Sequence, residues 1–221
     1  MEFQSPEDNA WYDVILLWDN EMLTVKYVNF PEDFNEIYDV GKFKTLEELE
    51  DFKQRFRQSS VQLQDHDCKK VVLGKTFCAS YNFENGDVKF FDALVAEVLN
   101  KKHKFKQGGG EECLCTYVVR WQNGPLEGER TFARIANFCL TPPSNQVDPS
   151  LASFLKLARE RIEKGSLGGK DAGHEEPITS DFVSNSVMNL ELFFMKLRRQ
   201  RKNRCAYRTI EGALHSRCKK I

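Results

Sequence analysis

The chain has 221 residues, 41% of them hydrophobic and 12% aromatic, which is enough apolar material for a core and excludes global disorder. Thirty-two Lys and Arg balance 33 Asp and Glu, so a uniformly basic nucleic-acid coat is excluded. No run approaches the 18 or so apolar residues of a membrane span, so no membrane is expected as a partner.

The polar, acidic start MEFQSPEDNA is unlike a secretory leader, so a soluble intracellular protein is expected, with its seven cysteines reduced or metal-bound. Charge is unevenly placed. From Pro177 onward there are ten Lys/Arg and three acids, a net +7, which leaves −8 for the rest. An acidic body with a basic tail predicts two different surfaces.

In chain order, Trp11–Trp18 and Met22–Phe30 are short, aromatic and β-branched, and Asp19-Asn20-Glu21 between them reads as a hairpin turn. Thr45–Gln58 differs in kind. Leu46, Leu49, Phe52 and Phe56 recur at helical spacing, with Thr45 as cap and Glu48 completing a capping box. Lys75–Asn82 and Val88–Lys101 predict a second hairpin, although Leu94, Val95, Val98 and Leu99 also fit a helix. Glu111–Gln122 and Glu129–Ile135 are read as strands around an Asn123-Gly124-Pro125 turn.

Asp148 followed by Pro149 opens a helix over 148–163. Residues 165–177 read as a Gly-rich linker, and an amphipathic basic helix is expected around 185–204. The fold expected is mainly β: small antiparallel barrels with inserted and C-terminal helices. The expected division is a first barrel over 1–66, a second over 67–145, a helix over 146–164, the linker, and a basic tail over 178–221.

No hydrolase elbow, phosphate loop or metalloprotease motif is present, and the four histidines at 66, 103, 174 and 215 are scattered. No enzyme is expected. Two patterns carry chemistry. Cys113-Leu114-Cys115 places two thiols two residues apart, on one face if the segment is a strand. With Cys78 and His103 they supply four soft or borderline ligands of the kind zinc takes, with Cys68 and Cys139 as substitutes. The bland reading makes Cys78 a core thiol and His103 a solvated member of a basic run. The second pattern is aromatic. Trp11, Tyr12, Tyr27 and Phe30 lie on two paired strands, with Trp11 and Tyr12 on opposite faces, and three converging rings would hold a methylammonium by cation–π attraction, or would simply pack as core.

The blocks Ala10-Trp11-Tyr12-Asp13-Val14 and Val25-Lys26-Tyr27-Val28-Asn29-Phe30 resemble the start of the SAWADEE domain of plant SAWADEE homeodomain proteins. Further matches follow in order: Arg57-Gln58 through Cys68, Phe90-Phe91-Asp92-Ala93, His103, Cys113-Leu114-Cys115 and Tyr117-Val118-Val119-Arg120. The resemblance covers about residues 9–140. It implies tandem Tudor-like barrels, with a structural zinc in the second held by Cys78, His103, Cys113 and Cys115. It also implies a nuclear reader of the histone H3 tail methylated at lysine nine, acting in gene silencing through RNA-directed DNA methylation. Carried over residue by residue, the methyl-lysine cage falls on Tyr12, Tyr27 and Phe30, and the polar contacts to the tail on Asp13 and Glu2. Silencing-polymerase or remodelling-complex subunits are the further partners implied. The rival reading is a scaffold or nucleic-acid-binding module that works through the basic tail.

Overall fold

A computed structural model describes residues 1–105, 110–143 and 147–167. The strands are β1 (Glu2–Gln4), β2 (Trp11–Asp19), β3 (Met22–Tyr27), β4 (Glu36–Asp39), β5 (Phe56–Arg57), β6 (Val61–Gln62), β7 (Thr76–Asn82), β8 (Val88–Leu99), β9 (Lys104–Phe105), β10 (Glu111–Glu112), β11 (Thr116–Trp121), β12 (Arg130–Ala133) and β13 (Phe138–Leu140). Two helices join them, α1 (Leu46–Gln54) and α2 (Pro149–Leu167). The fold is mainly β.

Pairing is antiparallel throughout. In the N-terminal part β4, β3, β2, β1 and β5 lie side by side. In the following part the order is β6, β13, β7, β8, β11, β12. A single pair, Trp11 with Phe90, links β2 to β8 and so joins the two sets.

Each set covers its own hydrophobic cluster. Phe3, Val14, Leu23, Val25, Tyr38 and Val40 form the first, closed from outside by Leu49 and Phe52 of α1 and by Leu151, Phe154 and Ala158 of α2. The second holds Phe77, Phe91, Val95, Tyr117, Val119 and Phe138. One glycine is structurally required: Gly124 has φ +79°, and a Cβ there would fall 2.4 Å from the Phe91 ring.

Several expectations change in detail. α1 starts as predicted, with the Thr45 hydroxyl accepting from the Glu48 N–H at 3.1 Å. It ends at Gln54, because Phe56 and Arg57 extend instead to pair with Phe3 and Glu2 of β1. Phe56 thereby packs on Phe3, ring centroids 4.8 Å apart. β1 itself arises from the polar N-terminus. Residues 88–99 are strand, not helix. α2 is capped by Asp148, whose Oδ1 accepts from the Ser150 N–H at 2.9 Å. It runs through Gly165, past the expected start of the linker. The expected basic helix around 185–204 and the tail lie outside the described residues.

Candidate functional site

Tyr12 stands on β2 and Tyr27 closes β3. The ladder between these strands pairs Tyr27 with Val14, two residues beyond Tyr12. Residues 28–30 leave the strand. Asn29 takes the left-handed conformation at φ 65°, which Asn tolerates better than most residues, and the Phe30 N–H returns to the Tyr27 carbonyl at 3.4 Å. That turn brings Phe30 back over the strand end. The three ring centroids are 5.4 Å (Tyr12–Tyr27), 5.6 Å (Tyr12–Phe30) and 5.7 Å (Tyr27–Phe30) apart, the first two pairs nearly perpendicular.

In such a triangle a cation about 4.5–5 Å from every centroid sits roughly 3–4 Å out of the plane of the three centroids, within cation–π reach of every ring. Tyr12 and Phe30 are half-exposed, while Tyr27 is buried with Phe3 behind it. Phe34 adds a ring beside Phe30 at 5.7 Å. Acids surround the corner. Tyr12 donates to Asp8 at 2.6 Å, Tyr27 donates to Glu36, and Glu7 lies close enough to Glu36 and Asp8 for repulsion to matter. Burial, reinforced by those neighbours, raises the Glu7 carboxyl above its usual range.

The second centre lies under the second core. Cys68, His103, Cys113 and Cys115 each offer one ligand atom, all within 4.8 Å of one another. His103 Nε2 is 3.3 Å from the Cys68 sulfur and 3.5 Å from that of Cys115. A tetrahedron with metal–sulfur bonds near 2.3 Å and metal–nitrogen bonds near 2.0 Å has N···S edges of about 3.5 Å. Both His103–sulfur distances match that edge.

His103 Nδ1 lies 2.5 Å from Glu111 Oε1, which orients the ring with Nε2 toward the thiols, the usual outer support of a ligating imidazole. Burial pushes the Cys113 thiol up to about 12. Burial also opposes ionisation of Cys115, but the Lys101 N–H and His103 outweigh it and bring that thiol below its ordinary value. Three crowded thiols of which two resist ionisation are a donor set that a divalent cation would relieve. These four residues could hold a metal ion.

The ligand set corrects one expectation. Cys78 sits in the middle of β7, is 1% exposed, and packs with Trp11 and Cys139, its partner across the ladder. It belongs to the joint between the cores, and Cys68 takes its place at the centre. Cys113 and Cys115 also leave the strand expected over 111–122, occupying the break between β10 and β11. The Cys113 N–H donates to Asp65 Oδ1 at 3.1 Å, and the Tyr117 hydroxyl to the Cys68 carbonyl at 3.3 Å, which ties the 65–70 turn to this break.

Glu2 is likewise relocated. It is 2% exposed, bound to Arg57 Nε at 2.7 Å and to both the backbone N–H and the hydroxyl of Ser60. It is a buried counter-ion and cannot serve as a surface acid. Asp13 stays half-exposed and accepts from the Ser59 hydroxyl at 3.2 Å. Arg57 also binds Asp92 at 2.7 Å and lies 3.5 Å from the centre of the Trp11 ring, and Trp11 Nε1 donates to Asp92 at 3.0 Å. This clamp fastens the first core to the second.

Sequence reasoning missed Cys68 as first choice, together with Asp8, Glu36 and Glu111. Cys68 stands in the polar run Gln64–Lys70, and Cys78 in a strand whose residues 77–79 are all buried, a difference that only the folded chain makes plain. The acids form no recognisable motif, although Tyr12 lies four residues from Asp8 and Tyr38 two from Glu36.

Fold and centres together define a mainly β protein with a three-cysteine, one-histidine cluster beneath one core and an aromatic corner on the other. The chain belongs to the SAWADEE domain family, whose family model matches residues 1–139. Among solved structures it is similar to a selenium-substituted SAWADEE domain of Arabidopsis thaliana SHH1, at 21% identity and a TM-score of 0.48, over 64% of this chain and 95% of that one. It is also similar to an SHH1 SAWADEE domain in complex with an H3K9me3 peptide, at 20% identity and a TM-score of 0.49, over 64% and 96% of the two chains. No curated protein matches the chain.

Proposed function

We propose that this protein is a non-catalytic nuclear reader that binds the histone H3 tail methylated at lysine nine, with zinc as a structural ion. The observation that carries the reading is the Tyr12–Tyr27–Phe30 corner, three rings mutually 5.4–5.7 Å apart and ringed by carboxylates. A methylated ammonium is large, weakly hydrated and cationic, so ring faces suit it better than they suit a strongly hydrated primary amine. Rings worth about 0.5–2 kcal/mol each separate methylated from unmethylated lysine by tenfold or more.

Family membership supports the ligand class. The net −8 of residues 1–176 suits a basic tail by steering its approach. Thiols and imidazole at tetrahedral spacing favour zinc over harder cations. Held by Cys68, His103, Cys113 and Cys115, the ion would pin three separate stretches of chain and supply no reaction. A role in gene silencing through RNA-directed DNA methylation follows from the family resemblance. The +7 segment from Pro177 favours a second contact, with nucleic acid or with an acidic silencing partner.

Calorimetric titration with H3 peptides carrying zero to three methyl groups at lysine nine tests the reading. Methylated peptides should bind tenfold or more tighter than the unmethylated one, and equal affinity would sink it. Steep salt dependence that disappears on deleting residues 178–221 would assign nucleic-acid binding to the tail.

A further inference from the structure

Both tyrosines of the corner end on carboxylates, and the two carboxylates are held differently. Asp8 Oδ2 accepts from Tyr12 but is also bound by Lys89 Nζ at 2.8 Å, so a cation already offsets its charge. Asp8 Oδ1 takes the Ala10 N–H at 3.0 Å. Glu36, on β4, receives the Tyr27 hydroxyl on one oxygen and the Tyr38 hydroxyl on the other. Both of these partners are neutral phenols.

Burial, with the Glu36 carboxylate next, holds the Tyr27 phenol far above its ordinary titration range, so Tyr27 remains the donor at any physiological pH. A phenol that donates to a carboxylate carries more negative charge on its ring, and the carboxylate's own field acts across a half-buried site with reduced screening. Phe30 has no hydroxyl and cannot be tuned in this way.

We propose that Glu36 is a specificity-setting positioning residue of the aromatic corner: acting through the Tyr27 hydroxyl, it determines how strongly the corner prefers a cationic methylammonium to a neutral side chain of the same shape. The inference rests on the reading of the corner as a methyl-lysine site. It assigns Glu36 a task distinct from packing, because a neutral acceptor could hold the same hydroxyl without its charge.

The test pairs two peptides, one bearing trimethyl-lysine and one bearing its isostere with carbon in place of the quaternary nitrogen. The affinity ratio of the two is measured for the full chain and four variants. Glu36→Gln should lower the preference for the cation by about three- to tenfold while sparing the neutral peptide. Tyr27→Phe should do the same by removing only the hydroxyl, and the double variant should add little, as expected for one coupled unit. Tyr38→Phe, which leaves the Tyr27–Glu36 bond in place, should not move the ratio. Equal loss for both peptides in Glu36→Gln would make Glu36 a packing residue and overturn the proposal, as would an unchanged ratio in both Glu36→Gln and Tyr27→Phe. If Glu36→Gln fails to fold, Tyr27→Phe alone decides. Wild-type protein that binds neither peptide, or both alike, brings down the methyl-lysine reading itself and this inference with it.

Discussion

The aromatic corner and the cysteine–histidine centre are built in opposite ways. The corner stands on a continuous ladder, with β2 and β3 paired from Val14–Tyr27 to Asp19–Met22, and its rings touch one another without help. The ligands of the centre come from places where the ladder stops: the turn over 65–70, residue 103 before β9, and the break over 113–115. Chain segments that make few backbone bonds of their own need something else to close them. The corner is preorganised by the fold, whereas the centre would organise its surroundings if a cation joined its ligands.

The largest expected effect follows from that contrast. Cys115→Ser should abolish binding of about one metal ion per chain and lower the melting temperature by about 10 °C or more, read by elemental analysis and calorimetry. Cys78→Ser should keep the metal and cost only the burial of a hydroxyl, about 1–3 kcal/mol. A metal-free Cys78→Ser protein would restore Cys78 as a ligand.

Next is the clamp between the regions. Arg57→Met leaves the buried Glu2 and the half-buried Asp92 without their cation, at a cost of about 3 kcal/mol in denaturant unfolding. Both cores should loosen together if the clamp joins them, and two separate transitions would show that they are energetically independent.

The corner itself should divide its residues. Tyr12→Ala and Phe30→Ala should each weaken methylated-peptide binding about tenfold or more with metal content and melting temperature nearly intact. Tyr27→Ala should lose binding and also about 3 kcal/mol of stability, because Tyr27 is 7% exposed and backs onto Phe3. If all three variants are equally destabilised, the rings are core and not a site. Asp13→Ala should be the mildest, with a stability change below about 0.5 kcal/mol and a loss of discrimination of only a few-fold at a neighbouring unmodified lysine. A tenfold effect there would give Asp13 a central place in tail binding.

Much of the fold was legible because its signals are local. The Asp19-Asn20-Glu21 hairpin turn, the Thr45–Glu48 cap and the Asp148 start each depend on residues within a few positions of one another. The corner was legible for a related reason, since a β2–β3 hairpin forces Tyr12 near Tyr27. What escaped depends on distant partners. Whether Phe56 is helical or extended is decided by Phe3, more than fifty residues away. The choice between Cys68 and Cys78 depends on where β7 lies relative to the break at 113–115, which spacing along the chain does not encode. Glu2 looked like a surface acid because nothing near it in the sequence announces Arg57.

The last helix alters what counts as the domain. The family match stops at residue 139, yet Leu151, Phe154 and Ala158 of α2 are buried at 2%, 0% and 0%, and Phe154 meets Trp18, Phe43 and Phe52. A recombinant fragment cut at the edge of the match would expose that aromatic floor to water and invite aggregation. The smallest piece worth expressing for crystallisation or peptide binding therefore runs from residue 1 to residue 167. Removing α2 would open the cluster that also holds Phe3, the ring behind Tyr27, so a helix beyond the match bears on the aromatic corner.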